Sequence, residues 1–255
     1  MYQKTEIRNP FGAPVYYIPE TRSTMTDARI LAARGEPDGT AVFAGFQSSG
    51  RGRVEGRRWD SASGENLLCT VILRRVPVPG FTLRVGLAVA RTFEQYLGTT
   101  AESPGGNIRI KWPNDVLCNG KKLAGVICEN DGPFIYVGAG LNIGQKVFPP
   151  DLAEKAASLA GILAETAGDL PAPCPDGVLS VYLDHLKAVL EMPDWNRQIT
   201  ERLYQRNERI RFLAGDPGKG EILDGRIEGI GIAGELLFRT GDGVLRNLYS
   251  GEIPF

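Results

Sequence analysis

The chain has 255 residues, 29 Lys and Arg against 30 Asp and Glu, a net charge of −1, and 42% hydrophobic and 23% charged residues. That length permits one large domain, or one with a small companion, around a sizeable core, and the composition excludes disordered, collagen-like and coiled-coil classes. The charge balance argues against a general nucleic-acid binder, so any anion site must come from a local cluster of cations.

No apolar run approaches the ~20 residues that span a bilayer. Residues 1–6 lack the apolar core of a leader peptide, so the expected location is the cytoplasm, without membrane contact. Along the chain, a helix is predicted over 25–34, capped by Ser23 or Thr24 and ended by Gly35. Strands are expected at 41–46 and 67–73, a helix at 83–97 with Gly98 as its stop, and strands at 108–112, 123–128 and 134–138. Residues 168–175 are Pro-rich and read as a loop, and a second amphipathic helix follows over 178–191. Beyond 204 the pattern changes to short alternating runs at 210–213, 225–232, 235–239 and 244–249, separated by Gly-Asp turns. This is the pattern of a small all-β unit, so a boundary is placed between 1–204 and 205–255. The four cysteines form no Cys-x-x-Cys pair and read as reduced, buried thiols, and the single histidine, His185, lies beside a helical stripe and is assigned no role.

Four segments carry chemistry. Gly50 to Trp59 holds Arg51, Arg53, Arg57 and Arg58 among three glycines, either a clamp for an acid and a nucleotide phosphate or a solvated charged loop. Lys111-Trp112-Pro113-Asn114-Asp115 places an ammonium, an amide and a carboxylate at a strand end. There Asp115 could share Mg²⁺ with phosphates or simply cap a turn. Asn119-Gly120-Lys121-Lys122 reads as a hairpin returning antiparallel to the Lys111 strand, pointing a lysine either across the site or into solvent. Gly138 to Gly144 is small enough for close approach of a ring or ribose, with Asn142 as a polar contact, or is merely a glycine-rich turn. Gly229 to Gly234 matches a dinucleotide glycine pattern, but it lies among strands near the end of the sequence and reads as a turn. No Gly-x-x-x-x-Gly-Lys-Ser/Thr loop exists.

In this order and spacing, the four segments resemble those of the biotin–protein ligases. Further matches are Arg22-Ser23-Thr24, Phe148-Pro149, Ser158-Leu159 and Gly251-Glu252-Ile253, so the likeness spans roughly 15–254. It implies an α/β (α+β) fold, a mixed sheet flanked by helices, with a small C-terminal β-barrel. It implies a two-step reaction in which biotin and ATP give biotinyl-5′-AMP with Mg²⁺, and biotin then passes to a lysine of a biotin carboxyl carrier protein. Carried over by resemblance, Lys122 and Arg51 are catalytic. Ser23, Thr24, Gln47, Arg51, Gly52, Arg53 and Lys122 bind biotin. Arg51, Arg53, Trp59, Lys111, Asn114, Lys122 and Asn142 bind ATP, and Asp115 is the metal candidate. Two departures from the family pattern stand out: Val54-Glu55 adds one residue to the arginine loop, and Met25 replaces a common Asn. Only about fifteen residues precede the similar region, so no DNA binding is expected. The expected assembly is a monomer or homodimer. A lipoate–protein ligase and a non-catalytic biotin-binding sensor are the alternatives.

Overall fold

Alternation of apolar residues on one face with glycine and polar residues on the other builds the sheet that carries the site. In a computed structural model, which describes residues 1–74, 78–100, 108–167, 171–216 and 220–254, the first elements are β1 (Gln3–Lys4), β2 (Val15–Thr21), α1 (Thr24–Ala33), β3 (Ala41–Gln47), β4 (Leu67–Leu73) and α2 (Phe81–Leu97). They are followed by β5 (Ile108–Lys111), β6 (Asp115–Cys118), β7 (Lys121–Asp131), β8 (Phe134–Leu141), α3 (Leu159–Ala167), α4 (Pro175–Leu190) and α5 (Trp195–Glu201). Eight strands pair in the order β1-β2-β3-β4-β8-β7-β6-β5. Only β2 and β3 run parallel; every other pair is antiparallel.

Helices cover both faces, which is why β4 is buried along its whole length. Leu67, Cys69, Val71 and Leu73 face the main core with α2 and α4, whereas Ile72 packs with α1, Val42 and Tyr136. The second unit comprises β9 (Arg209–Ala214), β10 (Glu221–Ile230), β11 (Leu236–Thr240), β12 (Leu245–Leu248) and β13 (Gly251–Glu252), an antiparallel sheet in the order β12-β11-β10-β9-β13. Its Phe212 and Phe238 are fully buried, and Phe212 lies 5.8 Å, centroid to centroid, from Trp112 at the end of β5.

Three expectations need correction. The hairpin at Asn119-Gly120 joins β6 to β7, and β6 separates β7 from the Lys111 strand. The turn itself is as expected: Asn119 at φ 49° and Gly120 at φ 79° both take the left-handed conformation that a tight two-residue hairpin turn demands. Only Cys69 and Cys118 are buried; Cys128 is half-buried and Cys174 exposed, though all four are free thiols. Of the Pro-rich loop, 168–170 lie outside the described residues, and Pro175 already begins α4. Among the described residues, no helix is long and apolar enough to cross a membrane.

Candidate active site

Period-two alternation on β7 and β8 clears a floor for a ligand. The core-facing positions Ala124, Val126, Val137, Ala139 and Leu141 are buried and apolar. The opposite face carries Gly125, Gly138 and Gly140, and these line a cavity of ≈ 80 Å³ with Ser23, Thr24 and Met25 of the α1 start, Gln47 at the end of β3, and Thr70 of β4. An adjoining cavity of ≈ 680 Å³ is lined by Lys111, Asn114, Asp115, Asn142, Phe148, Lys155 and Glu252 among others. Gly52, Arg53, Trp59, Asn114 and Lys122 line both, so the two spaces meet at the arginine loop and Lys122.

The first cavity has a polar end and an apolar end. Gln47 Oε1 accepts hydrogen bonds from the Thr24 amide at 2.7 Å and the Thr24 hydroxyl at 3.0 Å, and Thr70 Oγ1 bonds Thr24 Oγ1 at 2.9 Å. Ser23 sits at the N-cap of α1, yet its hydroxyl makes no capping bond. Met25, where a polar side chain was the family expectation, is buried and lies against Gly138, where a Cβ would stand 2.8 Å from its Cε. It supplies apolar floor in place of a hydrogen bond.

The arginine loop folds as a short hairpin. Arg51 bridges Arg58, the Gly52 amide donates to Arg57 O at 2.8 Å, and the Arg57 amide donates to Val54 O at 3.1 Å. Val54 and Glu55 therefore sit in the tip, where an added residue leaves the stem register and the return of Trp59 intact. The Trp59 amide closes the stem on Gly50 O at 3.1 Å, and the indole packs against β7 and β8. A Cβ on Gly140 would come within 2.7 Å of its ring, and one on Gly125 within 3.2 Å. Trp59 thus fills the space that the glycines leave. Among the described residues its buried Nε1 has no hydrogen-bond partner.

Lys122 reaches this point through a bulge. The β6–β7 register shifts between Val116 and Leu117, leaving Leu123 as the extra residue, and such a bulge re-aims its neighbour. The Lys122 backbone is clamped by bonds to Lys155 O at 2.7 Å and from the Ala157 amide at 3.0 Å. Its Nζ lies 2.8 Å from Asp115 Oδ1 and 5.5 Å from the centre of the Trp59 ring. Three arginines of the loop are engaged as well. Arg51 pairs with Glu129 at 3.5 Å, Arg53 donates to Gly251 O at 3.2 Å, and Arg57 pairs with Glu252 at 2.9 Å. The Arg57 hydrogen bond holds the Glu252 carboxyl below the usual carboxylate range. Lys111 is almost fully buried, and that burial pushes its ammonium down to about 8 against the opposing pull of Asp115 and Glu252.

All twelve site candidates lie around these two connected spaces. Two differ in detail from expectation. Asn142 spends its amide donors on Lys122 O at 3.3 Å and Ala157 O at 3.1 Å, so only its carbonyl oxygen is left for a ligand, and that oxygen suits a hydroxyl or amino donor and not a phosphate. Asn114 donates to Val126 O at 3.1 Å and so ties the turn after β5 to the site floor. Sequence reading missed Thr70, Glu129 and, as a partner for the loop, Glu252. Glu129 was findable, because it continues the Gly125, Ile127 face of β7 at a spacing of two.

Among the described residues, no group of three or more His, Cys, Asp or Glu could cage a metal ion. The donor set fits a cation that arrives on nucleotide phosphates and needs one protein carboxylate at most.

Residues 17–142 match the biotin/lipoate A/B protein ligase family. Over 98% of its length the chain is similar to the bifunctional ligase/repressor BirA of Bacillus subtilis, at 31% identity and across 75% of that protein. It is 36% identical to the biotin–[acetyl-CoA-carboxylase] ligase of Mycobacterium tuberculosis over 56% of this chain and 53% of that one. Among solved structures, a biotin protein ligase from Aquifex aeolicus in complex with biotin and ATP superposes with a TM-score of 0.76 at 26% identity, covering 94% of this chain and 97% of that one. A biotin protein ligase from Leishmania major in complex with biotin gives 0.65 at 26% identity, over 92% and 98%.

Proposed function

The chain belongs to the biotin–protein ligase family, and from that premise we propose that it is an ATP-dependent ligase joining biotin to a lysine of a biotin carboxyl carrier protein. In the first step a biotin carboxylate oxygen attacks the α-phosphorus of ATP and pyrophosphate leaves, giving biotinyl-5′-AMP. In the second, the ε-amine of the acceptor lysine attacks the acyl carbon, the acyl–phosphate bond breaks, AMP leaves, and the amine loses a proton.

The observation that carries this reading is the meeting of two spaces at Lys122. One is small, with a Thr24–Gln47–Thr70 hydrogen-bonding end; the other is large and cation-lined. An anion attacking a phosphate needs fixed cations between the two partners, because both are negative and charge builds on the phosphoryl oxygens. Lys122 stands there and is assigned to the biotin carboxylate and the α-phosphate; Arg51, Gly52 and Arg53 form the covering loop. Ser23, Thr24 and Gln47 offer both donors and acceptors, which suits a ureido ring, whereas the dithiolane of lipoate would leave those groups unpaired. Trp59, Lys111, Asn114 and Asn142 are assigned to the nucleotide. Magnesium, held by the phosphates with Asp115 as its protein carboxylate, would neutralise phosphate charge. Trp59 and the arginine loop exclude water from the mixed anhydride, which would otherwise hydrolyse.

The acceptor is assigned to the carrier domain of an acetyl-CoA carboxylase-type enzyme, in the cytoplasm, and the catalytic and C-terminal units are divided at 204/205. Incubation with labelled biotin, ATP and a carrier domain tests the reading. Label on the carrier with release of AMP and pyrophosphate is the expected result. Adenylate without transfer would indicate a sensor, and no reaction with biotin would point to another acid.

A further inference from the structure

We infer that Glu129 is a positioning residue for biotin, and that Arg51 acts through it as a wall of the biotin pocket and not as a cation for the adenylation step. The inference rests on the ligase reading above.

The Glu129 carboxylate stands between two guanidinium groups. Arg29 Nη2 meets Oε2 at 2.6 Å, and Arg51 Nη2 meets Oε1 at 3.5 Å. These groups come from the two elements that enclose the small cavity. Arg29 is one turn along α1 from Met25, lies 3.5 Å from Met25 O, and rests over the Tyr136 ring at 4.8 Å. Arg51 stands four residues after Gln47, at the start of the arginine loop. The loop is therefore tied to α1 twice: at the base through Gln47 and Thr24, and at the mouth through Glu129. Glu129 itself lines the cavity from the floor strand β7.

Position separates the two roles for Arg51. Lys122, although paired with Asp115 at 2.8 Å, lies where both cavities meet, whereas Arg51 rests at Glu129 and lines only the small one. Held at the mouth, Arg51 is suited to closing the pocket. Glu129 then governs how firmly biotin is retained, and the chemical step depends on it little.

The test compares wild type, Glu129→Gln, Arg51→Gln and the double variant for the KM of biotin, kcat of pyrophosphate release, and the rate at which bound biotin dissociates. Glu129→Gln is expected to raise the KM and the dissociation rate by about two- to fivefold, the range of a half-exposed ion pair, with kcat within about twofold of wild type. Arg51→Gln, at a side chain 60% exposed and so harmless to folding, should give the same change, and the double variant no more than either single one. Three results would overturn the inference: an unchanged KM; a lower KM for Glu129→Gln, which would mean that Glu129 competes with substrate for Arg51; or additive single changes. A fall in kcat for Arg51→Gln alone would restore Arg51 to the chemistry and also overturn it. Failure of the wild-type protein to form adenylate from biotin would refute the ligase reading instead.

Discussion

Lys122, Arg51, Arg53 and Arg57 each have a resting partner, so ligand binding at these cations is an exchange of partners. Lys122 must leave or share Asp115, 2.8 Å away, to meet a carboxylate and a phosphate. Lys122→Ala should lower the rate of adenylate formation by about 10²- to 10³-fold, the usual cost of removing one preorganised charge from a transition state. Pyrophosphate release measures the rate, and an unaltered circular dichroism spectrum checks the fold; normal turnover in the variant would take Lys122 out of the chemistry.

Lys111 adds a pH dependence whose sign follows from its burial. Its folded pKa of about 8 lies below the ordinary lysine value of 10.5 because burial disfavours the charged form. As pH rises through about 8 the native state loses this positive charge. The kcat/KM for ATP should fall over that range, and Lys111→Met should flatten the limb. The stability effect runs the other way. The unfolded chain keeps its proton up to 10.5 while the native one does not, so this group's penalty at neutral pH is relieved between about 8 and 10.5. Denaturant titrations of wild type and Lys111→Met across that range should converge as pH rises. These residues were legible in the sequence because cations concentrated in a neutral chain require an explanation. Which carboxylate each rests against was not, since the pairs Glu129–Arg51 and Glu252–Arg57 form only through tertiary contact.

Among the elements, the strands β7 and β8 show what a face of glycines does. Gly125, Gly138 and Gly140 take their places on the site face because Trp59 and Met25 lie where side chains would stand. Gly140→Ala puts a methyl within 2.7 Å of the half-buried Trp59 indole, so the ring must shift to admit it. The variant should lose about 1–3 kcal/mol of stability through overpacking. It should also raise the KM for ATP by about tenfold or more as the indole is displaced. Urea unfolding and steady-state kinetics check the two parts; an unchanged KM would remove Trp59 from nucleotide binding.

The long, strongly patterned elements could be read in advance. Strand β4 is a continuous apolar run, and α2 and α4 carry clear helical stripes, with Gly98 in the left-handed conformation ending α2 as expected. Strand β2 was passed over because Pro19 interrupts its apolar pattern. It tolerates the proline close to its end, where only the short β1 and the parallel β3 flank it. Four-residue β6 and seven-residue α5 are too short to show a period, and missing β6 is what misplaced the hairpin beside the Lys111 strand.

At the scale of the whole molecule, the proposed units 1–204 and 205–255 share one core. Trp112 follows Lys111 in the chain and is 3% exposed because Phe212 of β9 packs on its ring at 5.8 Å and its indole Nε1 donates to Gly234 O at 3.2 Å. Phe212 in turn meets Phe238 of β11 at 5.7 Å. On the far side, β13 holds the arginine loop through Gly251 O to Arg53 and Glu252 to Arg57. The C-terminal sheet therefore supports the nucleotide side of the site at two points, through Trp112 and through the loop. Phe212→Ala removes the ring common to both aromatic contacts and should cost about 3–5 kcal/mol. In a chain of this length that lowers the melting temperature by about 10 °C. Because the core is continuous, calorimetry of the full chain should show one transition, displaced as a whole. The variant's KM for ATP should rise more than its KM for biotin, whose contacts lie on α1, β3 and β4. Two separated transitions, or an equal effect on both substrates, would mean that the C-terminal sheet is an independent attachment and that the nucleotide site stands without it.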